Sequence, residues 1–231
     1  MNKDKPSFLR RSIAYIIDLL VVTLLVGILS TILIKDNNYV NESQKLLQLY
    51  QSYAQGEITR EEYNKEYESI DYYFTKDSVG VNIINVSISL IYFVGLCFYC
   101  GGVTLGKRIM RLKIVSSKDK KLHLGNYLIR GLLINLILSK LLEILIVTTL
   151  NKETFTVIHS RFGSVLSIFV LATVVVMMYR DDGRGLHDLV AGTKIISTKK
   201  EKEEVKEDVV EAKVIEEKKT TKKRTTKKDV K

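Results

Sequence analysis

The sequence predicts an all-α membrane protein: a four-transmembrane-helix bundle with a small cytoplasmic β element, an outer helical hairpin and a disordered tail. Apolar residues make up 46% and charged residues 27% of the 231 residues, and the two populations occupy separate stretches. Long apolar runs are typical of helices that cross a bilayer. Four such runs predict the spans, at about 12–34, 81–100, 126–150 and 163–179. The fourth is short and should borrow residues from its flanks.

The first run, Ser12–Ile34, contains a single charged residue, Asp18. At about 1.5 Å per residue the run reaches roughly 35 Å, more than the ~30 Å thickness of the hydrocarbon core. It is too long for a cleavable signal peptide. A carboxylate at the centre of a span costs roughly 2.5–3.5 kcal/mol. Asp18 is therefore interpreted either as a functional site or as a pairing partner that only stabilises the bundle.

The charges of the connecting segments predict the orientation of the spans. The 101–125 loop carries seven basic residues and one acidic residue, whereas Lys35–Gly80 carries five basic and nine acidic residues. Four more basic residues precede the first span. The positive-inside rule then places both termini and the 101–125 loop in the cytoplasm. The 35–80 insert and a short 151–162 loop should lie outside, so we expect a multi-pass protein of the cell membrane.

The insert at 35–80 has the pattern of a helical hairpin. Apolar and tyrosine side chains share one helical face over Glu42–Gln55, and Gly56 is a plausible end for that helix. Thr59 and Glu62 have the spacing of a capping box, which predicts a second helix to about Tyr73.

Two inner segments have the alternation of short strands. Arg111–Ser116 and Lys121–Gly125 predict a hairpin across the intervening residues, and Thr193–Thr198 predicts a further strand. Together these segments predict a small cytoplasmic sheet beneath the spans.

The tail, 197–231, has thirteen basic and nine acidic residues, few apolar residues and no aromatic residue. This composition predicts disorder. Its last part, Lys218–Lys231, is strongly basic, which indicates contact with anionic lipid. Non-specific RNA binding and a purely solubilising role are the alternatives, and we expect no specific nucleic-acid partner.

Several motifs are present only in incomplete form. Gly101–Arg108 resembles a phosphate-binding loop, but Arg108 stands where the magnesium ligand Ser or Thr is required. Cys97 and Cys100 lack a second ligand pair, so helix packing is the better interpretation. No nucleophile–base pattern occurs. We therefore expect no enzyme activity, no cofactor and no metal site.

Three segments, taken in order, carry a resemblance to a known family. They are Arg10–Asp18 (RRSIAYIID), Gly102–Lys107 (GVTLGK) followed by Arg111–Val115, and Gly185–Thr193 (GLHDLVAGT) followed by Lys194–Ile196. The chain resembles the RDD family of small bacterial membrane proteins over about Phe8–Ser197, apart from the insert. The resemblance defines a transmembrane domain at 1–196.

The family is named for one arginine and two aspartates, which correspond to Arg11, Asp18 and Asp188. The literal run Arg180–Asp182 is a coincidence. Further motif residues that match are Thr104, Gly106, Lys107, His187, Gly192 and Thr193.

Depth along the spans predicts which charges meet. Asp18 lies roughly 9 Å, and Arg130 roughly 6 Å, inside the cytoplasmic ends of their spans. We therefore predict that Asp18 pairs with Arg130 and that Arg11 extends to the cytoplasmic interface. Asp188, on a short helix ended by Gly192, could cap that helix or pair with Lys107 or Arg11.

Other polar groups lie within the second and third spans. They are Asn82, Asn85, Ser89 and Tyr92 on one face of the second span, and Lys140 and Glu143 in the third. Interhelical hydrogen bonding is the preferred interpretation of the first set, and an internal path is the alternative. Lys140 and Glu143 could neutralise each other or flank a cavity.

The resemblance implies transport of a small ligand or cation, including sodium–proton exchange, with Asp18 as the exchanging carboxylate. Four spans are few for a transporter, so a homo-oligomer is expected. The chain shows no inverted repeat or broken helix, which favours the rival hypothesis. That rival is a non-transporting scaffold that recruits partners or anionic lipids.

Overall fold

The computed structural model describes residues 6–34, 38–118 and 120–198, and these confirm a mostly helical protein with a two-stranded sheet. The tail predicted at 197–231 lies outside the described residues from residue 199 onward. The helices are α1 (Phe8–Leu33), α2 (Asn38–Ala54), α3 (Arg60–Asp77), α4 (Val79–Tyr99), α5 (Leu105–Ile109), α6 (Leu124–Ile134), α7 (Ile137–Thr149), α8 (Lys152–Tyr179) and α9 (Leu186–Ala191). The strands are β1 (Leu112–Ser116) and β2 (Thr193–Ser197).

Within the described residues, α1, α4 and α8 are each long and apolar enough to cross a membrane. Helices α6 and α7 pass the same test only as a pair, and they meet at an angle of 65°. The described residues thus provide three spans, or four if the bent pair is one span. This is the helical membrane architecture expected from the apolar runs.

The expectation of unbroken spans is wrong between α6 and α7. Leu136 adopts the left-handed conformation, with φ 54° and ψ 25°, which a non-glycine residue populates at a cost of about 1–2 kcal/mol. The break frees backbone carbonyls at the end of α6, and the Tyr15 hydroxyl donates to one of them, Ile134 O, at 3.2 Å. The sequence gives no warning because neither proline nor glycine stands at the break.

The outside loop predicted at 151–162 is also wrong, because α8 is helical from Lys152 onward. The Asn151 side chain caps it, accepting from Thr154 N at 3.0 Å. Polar residues such as His159 and Arg161 lower the hydropathy of this segment, so the apolar pattern alone does not include it in the span. The fourth apolar run is therefore extended by residues on its N-terminal side, as expected.

Helix α4 contains a π-helical segment, Ile91–Leu96. Such insertions of one residue into a helical turn change which side chains share a face. Here three successive side chains, Tyr92, Phe93 and Val94, are all buried. The segment thereby directs the Tyr92 hydroxyl toward α1.

The insert forms the expected hairpin. Gly56, at φ +76°, follows α2 in the left-handed conformation. The capping box is confirmed: Glu62 N donates to Thr59 Oγ1 at 3.3 Å and Thr59 N donates to Glu62 Oε2 at 2.8 Å. Only Ser78 separates α3 from α4.

The sheet confirms two of the three predicted strands, Arg111–Ser116 and Thr193–Thr198, but not the predicted hairpin. Strand β1 pairs antiparallel with β2, with Leu112 opposite Ser197 and Ser116 opposite Thr193. The predicted hairpin with Lys121–Gly125 is wrong, because α6 already begins at Leu124. Side-chain alternation indicates a strand but does not identify the strand with which it pairs.

Candidate functional site

Two fully buried carboxylates, Asp18 and Asp188, lie at the end of the bundle that also carries the sheet. The N-terminal end of α1 is fixed there, since Arg10 Nη2 donates to Met110 O at 2.6 Å, next to β1. A buried ionised carboxylate requires hydrogen bonds and counter-charges. The two carboxylates satisfy this requirement with different sets of partners.

Asp18 is enclosed by α4 and by the segment that follows it. Its Oδ1 accepts from the Tyr92 hydroxyl and from the Gly106 backbone N–H, both at 2.7 Å. Its Oδ2 accepts from Thr104 Oγ1 at 2.5 Å and lies 3.4 Å from Lys107 Nζ. Four donors from two elements therefore converge on one side chain of α1.

The fit around Asp18 requires a glycine. A Cβ on Gly106 would overlap the backbone carbonyl oxygen of Ala14 in α1. Lys107 lies beside it with its side chain largely buried, and burial lowers the pKa of that ammonium while the Asp18 carboxylate opposes the shift. The loop that resembles a phosphate-binding motif thus does hold an anion, but the anion is a carboxylate of the same chain.

Asp188 is held by two arginines and a hydroxyl. Arg11 Nη2 lies 3.1 Å from Oδ2, Arg130 Nη1 pairs with Oδ1, and Thr193 Oγ1 donates to Oδ1 at 2.7 Å. Gly192, at φ +66°, ends α9 as predicted and turns the chain into β2. Asp188 thereby connects α1, α6, α9 and β2.

The predicted pair between Asp18 and Arg130 is wrong. The loop residues around α5 fill the space beside Asp18, while Arg130 points to α9. Arg11 also does not extend to the interface: it is 9% exposed and donates to Gly183 O as well as to Asp188. The segment after α8 folds beneath α1 and supplies the partners that sequence depth alone did not reveal.

Several buried polar atoms in this region have no partner among the described residues. They are Arg11 Nε, Asn135 Oδ1 and both ring nitrogens of His187. His187 is 2% exposed, and its Nε2 lies 3.3 Å from Asp188 Oδ2 without forming a hydrogen bond. Burial lowers the pKa of His187 to about 2, and the neighbouring cations act in the same direction. The imidazole is therefore neutral at pH 7.

A cavity of about 400 Å³ lies among α1, α4, α6, α8 and α9 beside these atoms. Its charged lining residues are Arg11, Lys107 and Arg130, and the described lining residues include no carboxylate. His187 and Asn135 also line it, and the rest of the wall is largely apolar. The site thus combines a cationic end with a hydrophobic wall.

The structure brings all ten predicted site residues together, in two clusters. Asp18 lies with Thr104, Gly106 and Lys107; Asp188 lies with Arg11, Arg130, His187, Gly192 and Thr193. Sequence reasoning did not identify Tyr92 as a hydrogen-bond donor to Asp18. Its place on the polar face of the second span was the available signal.

Comparison with known proteins addresses the same region. Residues 5–192 match the RDD family, a range that includes both buried carboxylates and the insert. A search of curated proteins and a search of solved structures give no match. A family match over most of the chain is consistent with the order of the three motif segments, and the chain therefore belongs to the RDD family.

Proposed function

We propose that this multi-pass membrane protein transports a small ligand, and that the ligand occupies the cavity beside Arg11 and Arg130. The observation that carries this proposal is the cavity itself, because it is lined by Arg11 and His187, whose side chains have buried polar atoms without a partner among the described residues. Buried polar groups are normally satisfied, so unsatisfied ones beside a cavity favour a bound molecule.

Cation exchange at Asp18 receives less support. Both oxygens of the Asp18 carboxylate already accept two donors each. A cation would have to displace the Lys107 ammonium, the Gly106 N–H and two hydroxyls from a largely buried position. Leaving such donors unpaired is costly. This arrangement supports a structural role for Asp18, which holds the loop before β1 against α1.

The helix break supports a transport role. Transporters commonly place their substrate sites at discontinuous helices, where backbone groups and helix ends are free to bind. Here Asn135 and Leu136, at the break between α6 and α7, line the same cavity as Arg11. Lys140 and Glu143 in α7 neutralise each other at 2.8 Å, so they add no net charge beyond the break.

Orientation and assembly belong to the same proposal. The positive-inside pattern supports a cytoplasmic cavity with both termini on that side. Helix α8 exposes large apolar side chains along much of its length, including Val165, Ile168 and Leu171. Such faces contact lipid or another copy of the chain, and this supports a homo-oligomer in the bilayer.

A non-transporting scaffold is the second candidate. It is supported by the outer hairpin, where Leu47, Tyr50 and Tyr73 are exposed and available to a partner protein. The basic tail from 199 onward would add contacts to anionic lipid in that role.

Flux measurements in proteoliposomes distinguish these functions. Vesicles with an internal pH-sensitive dye would be given gradients of Na⁺, K⁺ and Li⁺, and separately of carboxylate and phosphate anions. We expect an anion-dependent flux that is lost in Val174→Trp, which fills the cavity from α8. The matched control is Leu171→Trp on the exposed side of the same helix, which should retain the flux.

The other outcomes identify the rivals. A cation-dependent flux that a folded Asp18→Asn protein lacks would establish cation exchange at Asp18. No flux from folded wild-type protein under any gradient would leave the scaffold as the function.

A further inference from the structure

We infer that the cavity binds a single-chain amphiphilic monoanion, with its acidic head at Arg11, Arg130 and His187 and its hydrocarbon chain along the apolar wall. This inference names the ligand class of the proposed transport site and rests on that proposal. Binding can nevertheless be measured without transport.

The charges around the cavity do not balance. Among the described residues, the buried Arg11 and Arg130 and the largely buried Lys107, whose side chain is 11% exposed, face two buried carboxylates, Asp18 and Asp188. Asp182 also attracts Arg11, but it forms ion pairs with Arg180 and Arg184. All three cations line the cavity, and neither carboxylate does. An uncompensated buried charge is unfavourable, so one negative charge in the cavity would complete the network.

The unpaired atoms fit an acidic head group. Arg11 Nε is a donor without an acceptor, and the neutral His187 ring has one donor and one acceptor, both unused among the described residues. Both side chains are more than nine-tenths buried and line the cavity. A carboxylate or phosphate oxygen is an acceptor for such donors, whereas an alcohol or an amine adds no negative charge.

The remaining wall fits a hydrocarbon chain. It includes Tyr15, Phe93, Leu133, Phe169, Val174 and Met177. The volume of about 400 Å³ lies near the lower end of the range of ~300–1,000 Å³ for small-molecule sites, which favours one chain over two. Phe8 and Ile16, which also line the cavity, are exposed on the surface of α1, so the hydrocarbon chain of the ligand can enter from the bilayer.

A second copy of the protein is a poorer occupant of the cavity. The apolar surface of α8 carries no acidic residue from Thr154 to Tyr179. The exposed surface of α1 has none either, because Asp18 is buried. A helix from another copy would cover the wall and leave the surplus positive charge unmatched.

The test compares three probes with the same chain and different heads. Full-length protein in an uncharged detergent at pH 8 would be given oleate, oleyl alcohol or oleylamine, with butyrate as an acid that lacks the chain. Binding is measured by native mass spectrometry and by the shift in unfolding temperature. We expect saturable binding of one oleate per chain, at least about tenfold tighter than oleyl alcohol, and no stabilisation by butyrate.

Variants locate the site. Arg11 also holds Asp188, so its replacement can impair folding. Val174→Trp occupies the cavity instead, and we expect it to weaken oleate binding by at least about tenfold, while Leu171→Trp on the exposed side of α8 leaves it unchanged. His187→Leu should weaken the binding of oleate more than the binding of oleyl alcohol, because it removes only contacts to the head group.

Two results would overturn the inference: equal binding of oleate and oleyl alcohol, or unchanged oleate binding in Val174→Trp. A dimer that Val174→Trp dissociates, without oleate binding to either form, would also overturn it and assign the cavity to a second copy. Oleate binding without any flux in vesicles would refute transport and leave the ligand class intact. Anion flux without oleate binding would refute the ligand class and leave the transport proposal intact.

Discussion

Replacing Asp18 by Asn should destabilise the protein by about 3–5 kcal/mol, because it removes one member of a buried ion pair and leaves the other in place. Lys107 Nζ lies 3.4 Å from Asp18 Oδ2, and the lysine side chain is 11% exposed. The Asn amide would also present its N–H groups where Thr104 now donates. The unpaired ammonium is the largest part of the cost.

The reverse change, Lys107→Met, should cost less. Asp18 would keep the Tyr92 hydroxyl, the Thr104 hydroxyl and the Gly106 N–H as donors. Losing one long charge-assisted hydrogen bond costs about 1.5 kcal/mol. The double variant lacks both charges, so it should be about 2–3 kcal/mol more stable than the sum of the single losses predicts.

The assay is the free energy of unfolding in mixed micelles, titrated with dodecyl sulfate, for wild type and the three variants. The matched control is the cycle of Lys140→Gln and Glu143→Gln, a pair at 2.8 Å whose lysine is 41% exposed. Exposed pairs couple by less than about 1 kcal/mol. If the Asp18–Lys107 coupling is no larger than this control, the ion pair described above does not contribute to folding and the reasoning is refuted.

Three further predictions concern the same end of the bundle. Gly106→Ala should cost about 1–3 kcal/mol of unfolding free energy because its Cβ meets the carbonyl of Ala14, while Gly125→Ala, which meets nothing within 4 Å, should be close to neutral. Asp188→Asn should cost at least about 3–5 kcal/mol, seen as loss of monodisperse protein in size-exclusion chromatography, since two guanidinium groups lose their counter-charge. The pKa of His187 is depressed on folding, so its contribution to stability is present above about pH 6.5 and lost as the pH falls. Lowering the pH from 7.5 to 5.0 should therefore reduce the free energy of unfolding of the wild type by about 2 kcal/mol through His187. The His187→Gln variant should lack this part of the pH dependence.

Features encoded in neighbouring residues could be predicted from the sequence. The Thr59–Glu62 capping box, the turn at Gly56 and the end of α9 at Gly192 each depend on residues within one helical turn. The apolar runs likewise identify helices, because the bilayer requires a minimum length of apolar chain.

Features that depend on distant residues could not be predicted. Depth along a span gave Arg130 as the partner of Asp18, but it could not show that the loop at Gly106 fills that space first. Strand alternation likewise did not select β2 over a neighbouring segment as the partner of β1. The break at Leu136 has no local signal at all, since its energetic cost is offset by tertiary packing.

The contact between Arg11 and Asp188 has a consequence for biosynthesis. The two residues are 177 positions apart, so at roughly 5–20 residues per second the ribosome makes Asp188 roughly 9–35 s after Arg11. During that interval α1 is already synthesised, yet its arginine has no counter-ion from α9. The bundle can close only when the last helix and β2 have emerged, so a chain truncated before residue 188 would present an unpaired arginine to membrane quality control.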